Sequence, residues 1–175
     1  MGQVKAKRAY RSTRRQKQAA ATRQAIMDSA RRLFIERGYA GTTVEAIADG
    51  ADVAAITVYS TLGGKRGILD RLIAVSLVGD EKPIPLLERE GPQAVRRETD
   101  QRRQVAMFAT GIATIMERIS PIFEVVRNAA SIEPDIAQPL ERLLRERLAN
   151  MRFFVDALAA NGPLHEGVSV ESAME

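Results

Sequence analysis

Residues 22–73 read TRQAIMDSARRLFIERGYAGTTVEAIADGADVAAITVYSTLGGKRGILDRLI, and this stretch decides the fold. Three short helical patterns are separated by Gly38-Tyr39, Asp49-Gly50 and Gly63-Gly64, and a fourth begins at Lys65. In the first, Thr22 to Arg37, residues Ile26, Ala30, Leu33 and Phe34 fall at i, i+4, i+7 and i+8 and make one apolar face. Gly38 stands where a helix C-cap glycine is expected. Thr42 or Thr43 can N-cap the second helix, which turns Val44, Ile47 and Ala48 inward and ends near Gly50. Asp52 sits in the following turn, where a left-handed residue is needed and Asp tolerates that conformation better than most. The third pattern, Ala54 to Ser60, is too short for a core helix, so it reads as a recognition element. The whole predicts a helix-turn-helix unit with an extra helix in front.

Outward from this head, charge is unevenly spread. Residues 1–23 hold Lys5, Lys7, Arg8, Arg11, Arg14, Arg15, Lys17 and Arg23 with no acid, while the other 18 basic residues face 22 acidic ones. Residues 1–21 are therefore read as a basic flexible arm, with Arg14 and Arg15 placed to meet DNA phosphates or the minor groove. Hydrophobic residues make up 45% of the 175, aromatic ones only 5%, which suits an aliphatic helical core. With no cysteine, a disulfide, a thiol nucleophile and a Cys-based metal site are all excluded. No unbroken apolar run approaches the ~18 residues of a membrane span, and no apolar segment follows the basic N-terminus as in a secretory signal. These features predict a cytoplasmic protein with no membrane partner.

The fourth helix is expected from Lys65 to about Val78. Asp80 to Pro85 cannot continue it, and a short helix is expected near Pro92 to Glu98. A long apolar pattern follows from about Asp100 to Ile119. Pro121 reads as the start of a separate helix to Ile132, and Asp135 to Ala160 as the last long one, ended by Asn161-Gly162-Pro163. Ser169 reads as an N-cap with a helix beginning after it, so the sequence is expected to stop inside that helix. The domain reading is an arm over 1–21, a DNA-binding head over 22–65 and a helical body over 66–175, truncated at its C-terminus. The fold class is all-α.

The head resembles the tetracycline-repressor (TetR) family of bacterial transcriptional regulators. The resemblance rests on Ala30-Arg31-Arg32-Leu33-Phe34, Gly38-Tyr39, Thr42-Thr43, Ile47-Ala48, Val53, Thr57-Val58-Tyr59 and Lys65. It covers about 50 residues; beyond Lys65 only the layout of linking helix and helical body is similar. Departures are Ala54 for a small polar N-cap, Ile56 for a common glycine, Thr61-Leu62 for His and an aromatic, and Asp52 for the turn glycine. The family implies a repressor that binds an operator as a homodimer and is released by a small-molecule effector, through a shift of the fourth helix. In it the last two helices form the dimer's four-helix bundle, and those this sequence is expected to lack.

A recognition helix presents its N-terminal half to the major groove. Ala55, Ile56 and Thr57 can meet thymine methyls or a base-edge acceptor, and no Arg or Asn is present for a bidentate base contact. Tyr59, Ser60 and Thr61 are expected at phosphates, Tyr59 on the family pattern. Thr42 and Thr43 can offer hydroxyl and backbone N–H at a helix N-terminus, and Lys65 its charge. In the body, Met and Phe residues at helical spacing, including Phe108, Met116 and Phe153, suit either a core or an aliphatic pocket. The expected pocket lining is Leu72, Met107, Thr110, Thr114, Phe123, Asn128, Arg147, Met151 and Phe154, around an effector of unknown identity; no other cofactor is expected.

His165 is the single histidine, too few with no cysteine for a zinc site. Leu62-Gly63-Gly64-Lys65-Arg66 lacks the first glycine and the Ser or Thr of a phosphate loop, and no other catalytic signature is present. The reading is therefore not an enzyme. Two alternatives remain beside the ligand-responsive regulator: a non-inducible architectural DNA binder, and a helical partner-binding module with a basic arm.

Overall fold

A computed structural model describes residues 2–164, with side chains from residue 14 onward. Seven α-helices and one 3-10 turn follow in order: α1 Gly2–Arg37, α2 Val44–Gly50, α3 Ala55–Leu62, α4 Lys65–Val78, the 3-10 turn Leu86–Glu88, α5 Glu90–Arg97, α6 Gln101–Ala130 and α7 Pro134–Ala159. No strand occurs among the described residues. Two compact units divide between Leu72 and Ile73, within α4 and later than the expected boundary after residue 65. His165 and the helix expected after Ser169 lie outside the described residues.

The first unit is built on the expected apolar face of α1. Ile26, Ala30 and Phe34 are fully buried, and Leu33 nearly so. They pack with Val44, Ile47 and Ala48 of α2, Val58 of α3, and Ile68, Leu69 and Leu72 of α4. Ser29 Oγ donates to the Ile47 carbonyl at 3.0 Å, so one buried hydroxyl locks α1 to α2. Gly38 ends α1 at φ 73°, and Asp52 holds the helix-turn-helix turn at φ 53°. Gly67 is needed for a close approach: a Cβ there would lie 1.8 Å from the Leu62 carbonyl oxygen.

One difference lies at the start. α1 begins at Gly2 rather than near Thr22, so the segment expected as a flexible arm is helical. The physical reason is local. Residues 14–21, Arg-Arg-Gln-Lys-Gln-Ala-Ala-Ala, contain only strong helix formers and no breaker. Propensity continues the helix where hydrophobic patterning gives no signal.

In the second unit, α6 and α7 form an antiparallel pair joined by a turn at Ser131–Glu133. Ile119, Ile122, Val126 and Ala129 of α6 are buried with Ile136, Pro139 and Leu143 of α7. At the other end Val95 of α5 joins Phe154 and Val155, against Phe108, Leu158 and Leu164. Gln104, fully buried, ties the three helices together. Its amide nitrogen donates to the carbonyls of Val95 (3.0 Å) and Ala157 (3.3 Å), and its oxygen accepts from Asn161 (3.2 Å).

Pro121 does not start a separate helix; it sits inside α6. A proline there removes one main-chain hydrogen bond. Beside it, Ser120 Oγ donates to the Met116 carbonyl at 2.7 Å, and apolar burial of Ile119, Ile122 and Val126 carries the helix past the break. α6 is also, by length and composition, apolar enough to cross a membrane. A count of unbroken apolar residues misses this because Thr, Gly and Ala dilute the pattern. Glu117 and Arg118 lie in the same helix, and Arg118 donates to main-chain carbonyls of α4, a contact made within a packed helical body.

Candidate nucleic-acid interface and body cavity

The reading surface of the head is α3. Its inward anchor is Val58, fully buried. Ile56, Tyr59 and Ser60 are exposed, while Ala55, Thr57 and Thr61 are half-buried. Ala54 caps α3 in extended backbone without a side-chain hydrogen bond, so the first N–H groups of the helix stay open to an acceptor. Ser60 Oγ turns back to the Thr57 carbonyl at 3.2 Å, so its proton is already used within the helix. The Tyr59 ring lies against Gly64, where a Cβ would stand 3.1 Å from Tyr59 Cε1. That packing aims the half-exposed ring outward beside the start of α4.

The two threonines before α2 have different roles. Thr43 is the N-cap: it is exposed and its Oγ1 accepts from the Ala46 N–H at 3.1 Å. Its own hydroxyl proton stays available to a phosphate. Thr42 is buried, and its hydroxyl reaches the carbonyls of Gly38 (2.8 Å) and Leu33 (3.1 Å). Its N–H faces the Tyr39 carbonyl at 3.3 Å. Thr42 is therefore a buried brace of the α1–α2 corner and offers no group to DNA, a correction to the expectation above. Sequence alone could not separate the pair, because either hydroxyl can cap.

Lys65 opens α4 with its Nζ 4.2 Å from the centroid of the Tyr39 ring. Tyr39, itself stacked obliquely on Phe34 at 5.4 Å, thus holds the lysine by a cation–π contact. The Tyr39 role was not read from the sequence, although Gly38-Tyr39 was one of the matching motifs. Arg14 and Arg15 are exposed on α1.

The body holds two adjoining clefts, about 660 Å³ and about 320 Å³. Both are lined by Leu77, Leu86, Phe108, Ile112, Ile115 and Asn150. Phe108 stacks on Phe154 at 3.7 Å between ring centroids and 6° between planes. Of the expected lining, Met107, Thr110 and Phe154 border the larger cleft, and Phe123, Arg147 and Met151 the smaller. Leu72, Thr114 and Asn128 border neither. Leu72 is buried in the head core. Thr114 is exposed and donates to the Thr110 carbonyl at 3.0 Å. Asn128 is exposed beyond the pocket face of α6. That face runs through Phe108, Ile112 and Ile115, and Thr114 is out of phase with it.

The cleft walls missed by the sequence reading come from two places. One is the last turn of α4, Leu77 and Val78, with Arg118. Arg118 Nε donates to the Ser76 carbonyl at 3.1 Å and Nη2 to the Leu77 carbonyl at 3.2 Å. These are orphan carbonyls of a helix C-terminus, a natural target for a guanidinium. The other is the 79–89 loop, which supplies Leu86, Leu87 and Arg89. Arg89 grips Asp80 with two hydrogen bonds, 2.7 and 3.0 Å, and also donates to the carbonyls of Val78, Lys82 and Ile84. The Arg89 hydrogen bond, helped by the Lys82 N–H, pushes the Asp80 carboxyl down to about 2 from 3.8. No group of three His, Cys, Asp or Glu is placed to hold a metal among the described residues.

Three helices crossing around one core, a left-handed turn at Asp52 and an outward-facing α3 define a helix-turn-helix DNA-binding head. The model of the bacterial regulatory proteins, tetR family, matches residues 26–72, the same segment. The whole chain is similar in structure to PfmR, a TetR family transcriptional regulator from Thermus thermophilus, at 21% identity and a TM-score of 0.60. That likeness covers 83% of this chain and 74% of that one, and it speaks for the fold. No curated protein matches by sequence. The head belongs to the tetR family of bacterial regulatory proteins, and the chain has the fold of a TetR-family transcriptional regulator.

Proposed function

We propose that the protein is a cytoplasmic repressor that binds a DNA operator as a homodimer and leaves it when a small molecule occupies the body clefts. It has no catalytic role in this reading. One observation carries it: α4 is a single helix from Lys65 to Val78, and its last turn is cleft wall. Arg118 borders that cleft and holds the carbonyls of Ser76 and Leu77. A ligand that displaces Leu77 or Arg118 therefore acts on the helix that begins at Lys65.

The lining favours a mostly apolar effector. Arg89 and Arg118 already donate to Asp80 and to main-chain carbonyls. Asn150, shared by both clefts, supplies a polar group for orientation. Dimerisation is supported by the half-site geometry of helix-turn-helix proteins. Leu144 and Leu148, exposed one turn apart on α7, give the body apolar surface for a second copy.

The test joins a thermal-shift screen of small apolar compounds to DNA binding at fixed salt, with and without each stabilising compound. Loss of specific DNA on adding the compound is the expected result. An architectural binder would hold DNA regardless of the compound, and a partner-binding module would show no sequence preference.

A further inference from the structure

The outward face of α3 has a chemistry that sets what it can read. From Ala54 to Thr61 there is no Arg, Lys, Asn, Gln, Asp or Glu. Thr57 and Thr61 are half-buried, and the Ser60 hydroxyl is turned onto the Thr57 carbonyl. Direct hydrogen-bonded readout of a base pair normally uses the side chains that are missing. What the helix does present is Ile56, 73% exposed, the most exposed of the large hydrophobic side chains among the described residues.

Its placement is fixed by the core. Val58 is fully buried, and a residue two positions earlier lies about 200° round an α-helix. Ile56 therefore points away from the head's core, in the N-terminal half that enters the major groove. A lone exposed isoleucine is ordinary on a protein surface. A branched aliphatic group on a reading helix otherwise bare of base-pairing side chains is a different matter. The major groove offers one apolar group, the C5-methyl of thymine.

We infer that Ile56 is the specificity-determining residue of the head, and that it selects a thymine in each half-site by contact with the C5-methyl. The inference rests on the DNA-binding reading above. Affinity comes from phosphate contacts at Thr43, Tyr59, Lys65 and the N–H groups opening α3; sequence preference comes from a methyl.

The test uses the full chain and a random-sequence duplex pool made with thymine. Enriched duplexes are resynthesised with deoxyuridine replacing thymine one position at a time, which removes a methyl and leaves base pairing intact. One position per half-site is expected to lose about fourfold in affinity, the value of one buried methylene-sized group. Ile56→Ala is expected to bind the thymine and deoxyuridine duplexes equally, and Ile56→Val to keep a smaller penalty. The salt slope should be unchanged in both variants, since no phosphate contact is touched. Because Ile56 is exposed, both should melt as the parent does. A site with no thymine-sensitive position, or a penalty undiminished in Ile56→Ala and Ile56→Val, would overturn the inference while leaving sequence-specific binding in place. Failure to enrich any sequence would remove the DNA-binding reading and this inference with it.

Discussion

The head and the body are both aliphatic helical bundles, yet they are specified in different ways. In the head, each turn carries its own instruction: Gly38 and Asp52 take positive φ, Thr43 caps, and Gly67 admits the Leu62 carbonyl. In the body, geometry is set by long-range polar ties, Gln104 across three helices, Arg118 onto α4 and Arg89 across the 79–89 loop. The difference teaches where function resides. The head is a rigid frame that must hold α3 still, whereas the body leaves clefts whose walls hang on a few guanidinium contacts that a ligand can disturb.

The comparison can be broken most forcefully at the head core. Phe34→Ala empties a fully buried aromatic site and is expected to cost about 3–5 kcal/mol, with loss of DNA binding. A chemical melt followed by DNA titration checks this. The matching body change is Gln104→Ala, which leaves the Val95 and Ala157 carbonyls and the Asn161 amide without their partner. It should cost about 1–3 kcal/mol, and the same melt would show whether the tie matters less than the core.

Arg118→Ala sharpens the comparison by separating the two functions. DNA affinity without effector is expected to stay within about threefold, on the order of 0.7 kcal/mol, while compound-induced release is lost. Unimpaired release would place the coupling elsewhere.

The smallest effect concerns pH. Asp80 has a depressed pKa in the folded protein, so its stabilising contribution is present above the unfolded value of 3.8 and is lost as pH falls toward about 2. Between those values the melting temperature of the parent should fall more steeply than that of Asp80→Asn. Parallel curves would show that the Arg89–Asp80 pair does not hold the loop.

Much of the head was legible in the sequence, and the reasons are local. Helix periodicity gave α1, Lys65–Val78 fell on α4 as expected, and Asp52 announced its left-handed turn. The N-terminal extension of α1 was missed because arginines and alanines without an apolar face look like a solvated arm. Thr42 and Thr43 were indistinguishable because the difference between them is burial. In the body, Pro121 misled because tertiary packing can carry a helix through a proline. The cleft was half legible: Met107, Phe123 and Phe154 lay in apolar tracts, but Leu77, Arg89 and Arg118 reach it from α4, the loop and the α6 face, which no periodicity reveals.

The most direct test of the account is a specificity ratio: affinity of the full chain for a selected duplex against a scrambled duplex of equal length, at one fixed salt concentration. A regulator whose α3 reads sequence should prefer the selected duplex by about a thousandfold or more. Equal affinity for both, however tight, would contradict it and leave only attraction between basic side chains and phosphate.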